Sequence, residues 1–316
     1  MRPPIIHIGY NKTGSTWLQE ELFPQRELGY LSFLSIEDRT EIYRSLVSQH
    51  ALTFDPEPIL SYYRNKVELP ENEGLQPVFS AERFSGDPHS AGYDTKEIAQ
   101  RLHRLFPEGR IIAVIREQRS MLLSTYKQYV RAGGPRTLRK YFAPPERGSR
   151  RMPMFSFDYF DYAPLIGYYQ ELFGKERVLV LPYEWLRQEP ERLVSEILRF
   201  SGLEVDVEMV RKLPYNKKVN PGYGPVTLSW KRHFNRFFID NSLNPGALFD
   251  LPYGAERRVV SWMRRLDNLL PGSWRRRSEQ RLKRIIDRHV GDRYRAGNRK
   301  VTEQTGLDLG ALGYDL

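Results

Sequence analysis

Residues 4–23, PIIHIGYNKTGSTWLQEELF, do most to limit how this chain can fold. Pro4 to Ile8 reads as a short buried strand, because Ile5, Ile6 and Ile8 are β-branched and the run stops at Gly9. From Ser15 the pattern turns helical, with Leu18 and Leu22 one turn apart. Between them lies the turn Gly9-Tyr-Asn-Lys-Thr-Gly14. A strand, a tight turn holding Gly and Lys, and a helix N-terminus together make an anion site. The first N–H groups of the helix lack internal partners, and its dipole end is positive.

Gly9 and Gly14 stand at the separation of a Walker A motif, G-x-x-x-x-G-K-[ST]. Ser15 occupies the position of the motif's Lys, and the turn's own lysine, Lys12, lies two residues before Gly14. A Lys after the second Gly reaches the β- and γ-phosphates of a nucleoside triphosphate. A Lys inside the loop points at a shorter anion, such as a 5′-phosphate bearing one transferable group. An ordinary βα turn with a solvated Lys is written with the same residues.

Asn11-Lys12-Thr13-Gly14-Ser15-Thr16-Trp17-Leu18 resembles the nucleotide loop of sulfotransferases that use 3′-phosphoadenosine 5′-phosphosulfate (PAPS), in which a strand leads into P-K-[ST]-G-[ST]-T-W-L. Asn11 stands where Pro is usual, which removes some rigidity from the turn and leaves its chemistry. The resemblance implies that Lys12 stabilises charge on the bridging oxygen as the 5′-phosphate leaves. It implies that the N–H groups of Thr13, Gly14, Ser15 and Thr16, with the Ser15 and Thr16 hydroxyls, hold that phosphate. Trp17 would stack on adenine; a core Trp on the first helix is the other reading.

Two further stretches carry chemistry. Val78-Phe-Ser is a strand candidate followed by Glu82, and ligands of an open parallel sheet sit beyond the carboxyl ends of its strands. A carboxylate there can accept a proton from an acceptor hydroxyl, although a surface Glu paired with Arg83 satisfies the same spacing. Carbohydrate-type sulfotransferases place Glu after the corresponding strand, and small-molecule types place His. The resemblance therefore implies Glu82 as base, with Arg83 near the sulfonate. Arg110-Ile-Ile-Ala-Val-Ile115 reads as a buried parallel strand, with Arg116 after it and a helix from about Ser120. Arg116 and Ser124 resemble the family's second nucleotide motif, which binds the 3′-phosphate; Gln118 stands where Pro is common. Lys217 or Lys218, in the polar loop 216–224, could return to that phosphate, as could be said of any exposed loop.

The 316 residues are 40% hydrophobic and contain no Cys, which excludes disulfides, thiolate metal sites and cysteine nucleophiles. Six scattered His leave no zinc-site spacing. There is no run of about 18 apolar residues and no room for a signal peptide before the Gly-Lys turn. The expectation is a cytoplasmic, metal-free protein, and the excess of Arg over Lys reads as the genome of a GC-rich bacterium. The net charge is +10, and residues 256–300 alone hold 15 Lys and Arg against 5 Asp and Glu. Such a block fits a solvated helical face, or a peripheral contact with an anionic surface.

Elsewhere, residues 30–75 read as loops and short helices, 131–156 as a long basic loop, 157–173 as an aromatic helix and 177–182 as another strand. Tyr183-Glu-Trp-Leu and Phe200-Ser-Gly-Leu203 resemble family positions that support the fold rather than the chemistry. Residues 226–270 look helical, and Ser278 can cap a last amphipathic helix. The fold expected is α/β: one domain over residues 1–316, a central parallel sheet flanked by helices, with helical insertions and a helical C-terminal part. The resemblance is specific over residues 5–22, 110–129 and 178–203. It implies sulfuryl transfer from PAPS to a hydroxyl or amine of a carbohydrate, glycolipid or other small-molecule acceptor, releasing 3′-phosphoadenosine 5′-phosphate (PAP) without metal. A kinase or NTPase with an atypical loop is disfavoured by Ser15 in place of Lys. A non-catalytic polyanion binder would use the 256–300 block; nucleic acid is not expected as partner.

Overall fold

The computed structural model describes residues 2–142, 154–217, 223–239, 241–244, 248–249, 255–269 and 271–316. Five strands form one sheet: β1 (Ile5–His7), β2 (Tyr30–Phe33), β3 (Gln76–Ser80), β4 (Arg110–Ile115) and β5 (Val178–Pro182). Their order is β2-β3-β1-β4-β5 and every pair is parallel. β1 is only three residues long, yet it is central: Ile5 lies opposite both Val78 of β3 and Arg110 of β4.

Helices cover both faces, which is why the strands are apolar throughout rather than alternating with polar residues. Side chains still alternate between the faces. Ile6, Phe79, Ile111 and Ala113 pack with Ile98 and Leu102 of the helix Thr95–Leu105 and with Ile166 of the helix Tyr162–Phe173. Ile5, Val78, Ile112 and Val114 pack with Leu18 and Leu22 of the first helix and with Leu193 and Ile197 of the helix Pro190–Ser201. The first helix opens as an α-turn, Ser15–Trp17, and continues as a π-turn, Leu18–Leu22.

The sheet, its parallel pairing and the strands expected at Ile5, Val78, Arg110 and Arg177 are present, with shifted ends. β2 corrects the expectation of loops and short helices over 30–75. Tyr-Leu-Ser-Phe is too short to show a period, and only its pairing with β3 decides between strand and helix. The helix after β4 runs over Gln118–Arg131, two residues earlier than expected, because the Glu117 carboxylate accepts from Arg119 N and Ser120 N at 2.8 Å each. Residues 157–173 divide into a 3-10 turn, Asp158–Phe160, and a helix capped by Asp161. Among the described residues of the 226–270 region there are two helices, Pro225–Phe238 and Ala255–Leu269. Ser278 is interior to the helix Gly272–Val290 and does not cap it, since nothing from Ser273 to Arg277 stops a helix. The expected 131–156 loop contains a helical turn, Leu138–Tyr141, and its residues 143–153 lie outside the described residues, as does Lys218. None of the helices among the described residues is long and apolar enough to cross a membrane.

Phe79 links β3 to the edge of the sheet: its ring stacks on Phe33 of β2 at 4.4 Å and lies 5.3 Å from Phe106. Phe79→Ala is therefore expected to cost about 3–5 kcal/mol of folding free energy. Urea unfolding followed by far-UV circular dichroism measures it, and a loss below ~1 kcal/mol would contradict this packing.

Candidate active site

Four strand ends meet on one rim. The Gly9–Gly14 turn follows β1, the 3-10 turn Glu82–Ser85 follows β3, Arg116 follows β4, and the helix Tyr183–Gln188 follows β5. Among them opens a cavity of about 630 Å³, at the carboxyl edge where parallel sheets place their ligands.

The turn is shaped by two residues in the left-handed region, Lys12 at φ 73° and Gly14 at φ 86°. Gly tolerates that region; a Lys there must be held. Arg116 Nη1 donates to the Lys12 carbonyl at 3.0 Å, and Thr13 Oγ1 donates to the Tyr10 carbonyl at 2.5 Å. A Cβ at Gly14 would lie 2.5 Å from Leu186 Cδ2, the end of a side chain that can shift, so it is the positive φ that favours glycine here. Below the turn His7 is fully buried, its Nδ1 2.7 Å from Ser80 Oγ, and burial pushes its pKa down to about 3. The imidazole is thus a neutral part of the floor.

Lys12, Gly14, Ser15, Thr16, Trp17, Glu82, Arg116, Ser124 and Lys217 all line the cavity. Lys12 and Glu82 are close enough for each charge to act on the other. Burial pushes the Lys12 pKa down, Glu82 opposes that, and Arg131 and Arg116 add to it. Burial pushes the Glu82 pKa up, against the opposing influence of Lys12, Ser15 and Arg39. Ser15 Oγ approaches the Glu82 carboxylate, yet it is buried and has no hydrogen-bond partner at ordinary distance. An unpaired buried hydroxyl on a cavity wall fits an anion's oxygen.

Trp17 is buried with Leu18 and Leu193 in the core, the second of its two expected readings, and it also lines the cavity. Tyr215 stacks on it at 5.4 Å, and its Nε1 donates to the Pro214 carbonyl at 3.2 Å. Arg116 Nε donates to Ser120 Oγ at 3.0 Å rather than to Ser124, and its guanidinium lies 4.6 Å over the Tyr183 ring. Lys217 pairs with Glu21 at the rim. Two expected residues stand apart from the lining. Thr13 is buried with its hydroxyl turned inward to Tyr10, and Arg83 pairs with Asp94.

The family profile described as Sulfotransferase domain matches residues 2–218. The chain belongs to the sulfotransferase family. No curated protein matches it by sequence. Solved structures similar to it include a sulfotransferase from Alicyclobacillus acidocaldarius, at 17% identity and TM-score 0.49, covering 70% of this chain and 87% of that one. The sulfotransferase domain of the curacin biosynthetic pathway is 14% identical with TM-score 0.41, covering 83% and 97%. A mouse sulfotransferase complexed with PAP is 13% identical with TM-score 0.41, covering 95% and 88%.

This sulfotransferase lines its cavity with residues that motif reading missed. Lys127 lies three residues after Ser124, hence on the same helix face. Tyr183, Leu186 and Arg187 come from the segment read as supporting the fold, and Tyr183 and Arg187 stand one turn apart. Five cations, Lys12, Arg116, Lys127, Arg187 and Lys217, face the cavity against one lining carboxylate, Glu82, which makes it an anion site. Among the described residues no group of His, Cys, Asp or Glu could hold a metal.

A carboxyl whose folded pKa is raised stabilises the protein below its unfolded pKa, and that contribution is lost as pH rises through the folded pKa. Glu82→Gln removes a buried charge, so at pH 7 it is expected to raise the melting temperature by on the order of 1–3 °C. The gain should vanish below the ordinary carboxylate range, near pH 4. Calorimetric melting at both pH values checks it; a lower melting temperature at pH 7 would mean that the Lys12 ion pair outweighs burial.

Proposed function

We propose that the protein transfers the sulfuryl group of PAPS to a hydroxyl or amine of a polar acceptor, of the carbohydrate or glycolipid kind. The observation that carries this reading is Lys12 and Glu82 acting on one another across a cation-lined cavity, one on the nucleotide loop and the other at the end of the neighbouring strand. The donor set suits the nucleotide. Unpaired helix N–H groups at Ser15 and Thr16, the Ser15 hydroxyl and Lys12 would take a 5′-phosphate. Arg116, Ser124 and Lys127 would take a second phosphate, and the Trp17–Tyr215 wall supplies aromatic surface for a base.

Glu82 takes the proton of the acceptor O–H or N–H as that oxygen or nitrogen bonds to sulfur. The bond from sulfur to the bridging phosphate oxygen breaks in the same displacement, and Lys12 neutralises the charge left on that oxygen. PAP leaves as the other product. Positioning and fixed charge supply most of the acceleration, as in phosphoryl transfer, with about 10²–10⁴-fold from the base. The raised pKa of Glu82 makes it a stronger proton acceptor than an ordinary carboxylate, so the acid limb of kcat/KM should lie above the usual carboxylate range.

Calorimetric titration with PAP, with ATP and AMP in parallel, tests the nucleotide. PAP is expected to bind more tightly than either, and Arg116→Ala to lose most of that preference. With radiolabelled PAPS and acceptor panels, Lys12→Ala is expected to lower turnover by about 10²-fold or more, and Glu82→Gln to lower kcat while leaving PAP affinity intact. Absence of PAP binding would end the reading, and full activity in either variant would remove that residue from the mechanism.

A further inference from the structure

Fourteen large apolar side chains are exposed among the described residues, and seven of them fall between Trp230 and Trp274. The chain has five Trp; Trp17 and Trp185 are buried, whereas Trp230, Trp262 and Trp274 are 60%, 57% and 64% exposed. These three sit on three successive helices, Pro225–Phe238, Ala255–Leu269 and Gly272–Val290.

The first two helices run antiparallel. Asp267, in the last turn of the second, accepts from Val226 N and Thr227 N at 2.9 Å each, at the start of the first. At the other end Phe249 N, just before the second helix, donates to the Phe237 carbonyl at 2.9 Å. With a rise of about 1.5 Å per residue, Trp230 and Trp262 lie at one level of the pair. Leu269, 80% exposed, and Trp274 flank the junction of the second helix with the third. The inward stripe of the third helix, Ile286 and Val290, is already consumed by the core, so these exposed residues are additional to folding.

The same third helix is strongly cationic. Arg275, Arg276, Arg277, Arg281, Arg284 and Arg288 are exposed and form no ion pair among the described residues, where the helix's internal pair is Lys283 with Glu279. Exposed Trp at helix positions beside unpaired Arg is the composition of a surface that sits in a bilayer interface: indole rings at headgroup depth, guanidinium groups on anionic phosphates. Leu248 and Leu269 distinguish this from a nucleic-acid face, since aliphatic side chains do not stack on bases.

We propose that the helices Pro225–Phe238, Ala255–Leu269 and Gly272–Val290 form a peripheral membrane-docking surface for anionic phospholipid, through Trp230, Trp262 and Trp274 and the Arg275–Arg277 cluster. It is independent of the nucleotide reading and needs no spanning segment. The test is co-sedimentation of the full chain with vesicles of phosphatidylcholine alone or of an equal mixture with phosphatidylglycerol, with tryptophan emission recorded. Binding to the mixed vesicles at least about tenfold tighter than to phosphatidylcholine, with a blue shift, is expected. The triple change Trp230→Ser, Trp262→Ser, Trp274→Ser and the triple change Arg275→Glu, Arg276→Glu, Arg277→Glu should each weaken it by about tenfold or more, with unchanged melting temperature. If the triple Trp change lowers the melting temperature, Trp274→Ser alone, in a first turn and in solvent, must still weaken binding. No binding to mixed vesicles overturns the proposal. So does binding that survives the Trp changes, is lost with the Arg changes and is matched on heparin, since the face would then be a polyanion patch.

Discussion

A lysine backbone in the left-handed region is the constraint on which the site depends. Such a conformation is disfavoured by about 1–2 kcal/mol for a side chain with a Cβ, and it persists only where neighbours over-determine it. Here Arg116, fixed at the end of β4, donates to the carbonyl of Lys12, and Thr13 closes the turn onto Tyr10. The guanidinium that motif reading assigns to a phosphate is therefore also the brace that sets the direction of the lysine. Its other contacts, Ser120 and the Tyr183 ring, tie the brace to two more elements. The aim of Lys12 into the cavity is thus a property of β1, β4 and β5 together.

Burial works against both members of the Lys12–Glu82 couple, pressing the base and the cation alike toward neutrality, and each partially restores the other's charge. A site built this way holds reactive groups at an energetic disadvantage that a bound anion and an acceptor hydroxyl can relieve. The neutral His7 underneath fits the same logic, because an imidazolium there would be a fully buried charge outside the cavity lining.

The sheet was legible where the sequence is simplest. Ile111 to Ile115 and Val178 to Leu181 are unbroken apolar runs, and the turn after Ile8 announces itself through Gly9, Lys12 and Gly14. β2 was not, because four residues at a sheet edge carry no period of their own. Arg83 illustrates a different limit. Adjacency to Glu82 in the chain implies proximity to the chemistry, but one residue along a 3-10 turn rotates the side chain away, toward Asp94. Tyr183 and Arg187 illustrate the converse: a segment that looks like scaffold faces the cavity because a parallel strand delivers whatever follows it to the same rim. Lys127 could have been found by helical spacing from Ser124, the only local signal it offers.

β1 has a further consequence. The strand at the middle of the sheet is made of residues 5–7, while its two neighbours are residues 76–80 and 110–115 and the cavity wall is completed by residues 215–217. During synthesis the strand that leads into the nucleotide loop therefore waits for its first partner until residues 76–80 have emerged, and for its second until residues 110–115 have. The loop is made before the segments that give it its shape, so nucleotide binding in a growing chain would report completion of the fold rather than the presence of its motif.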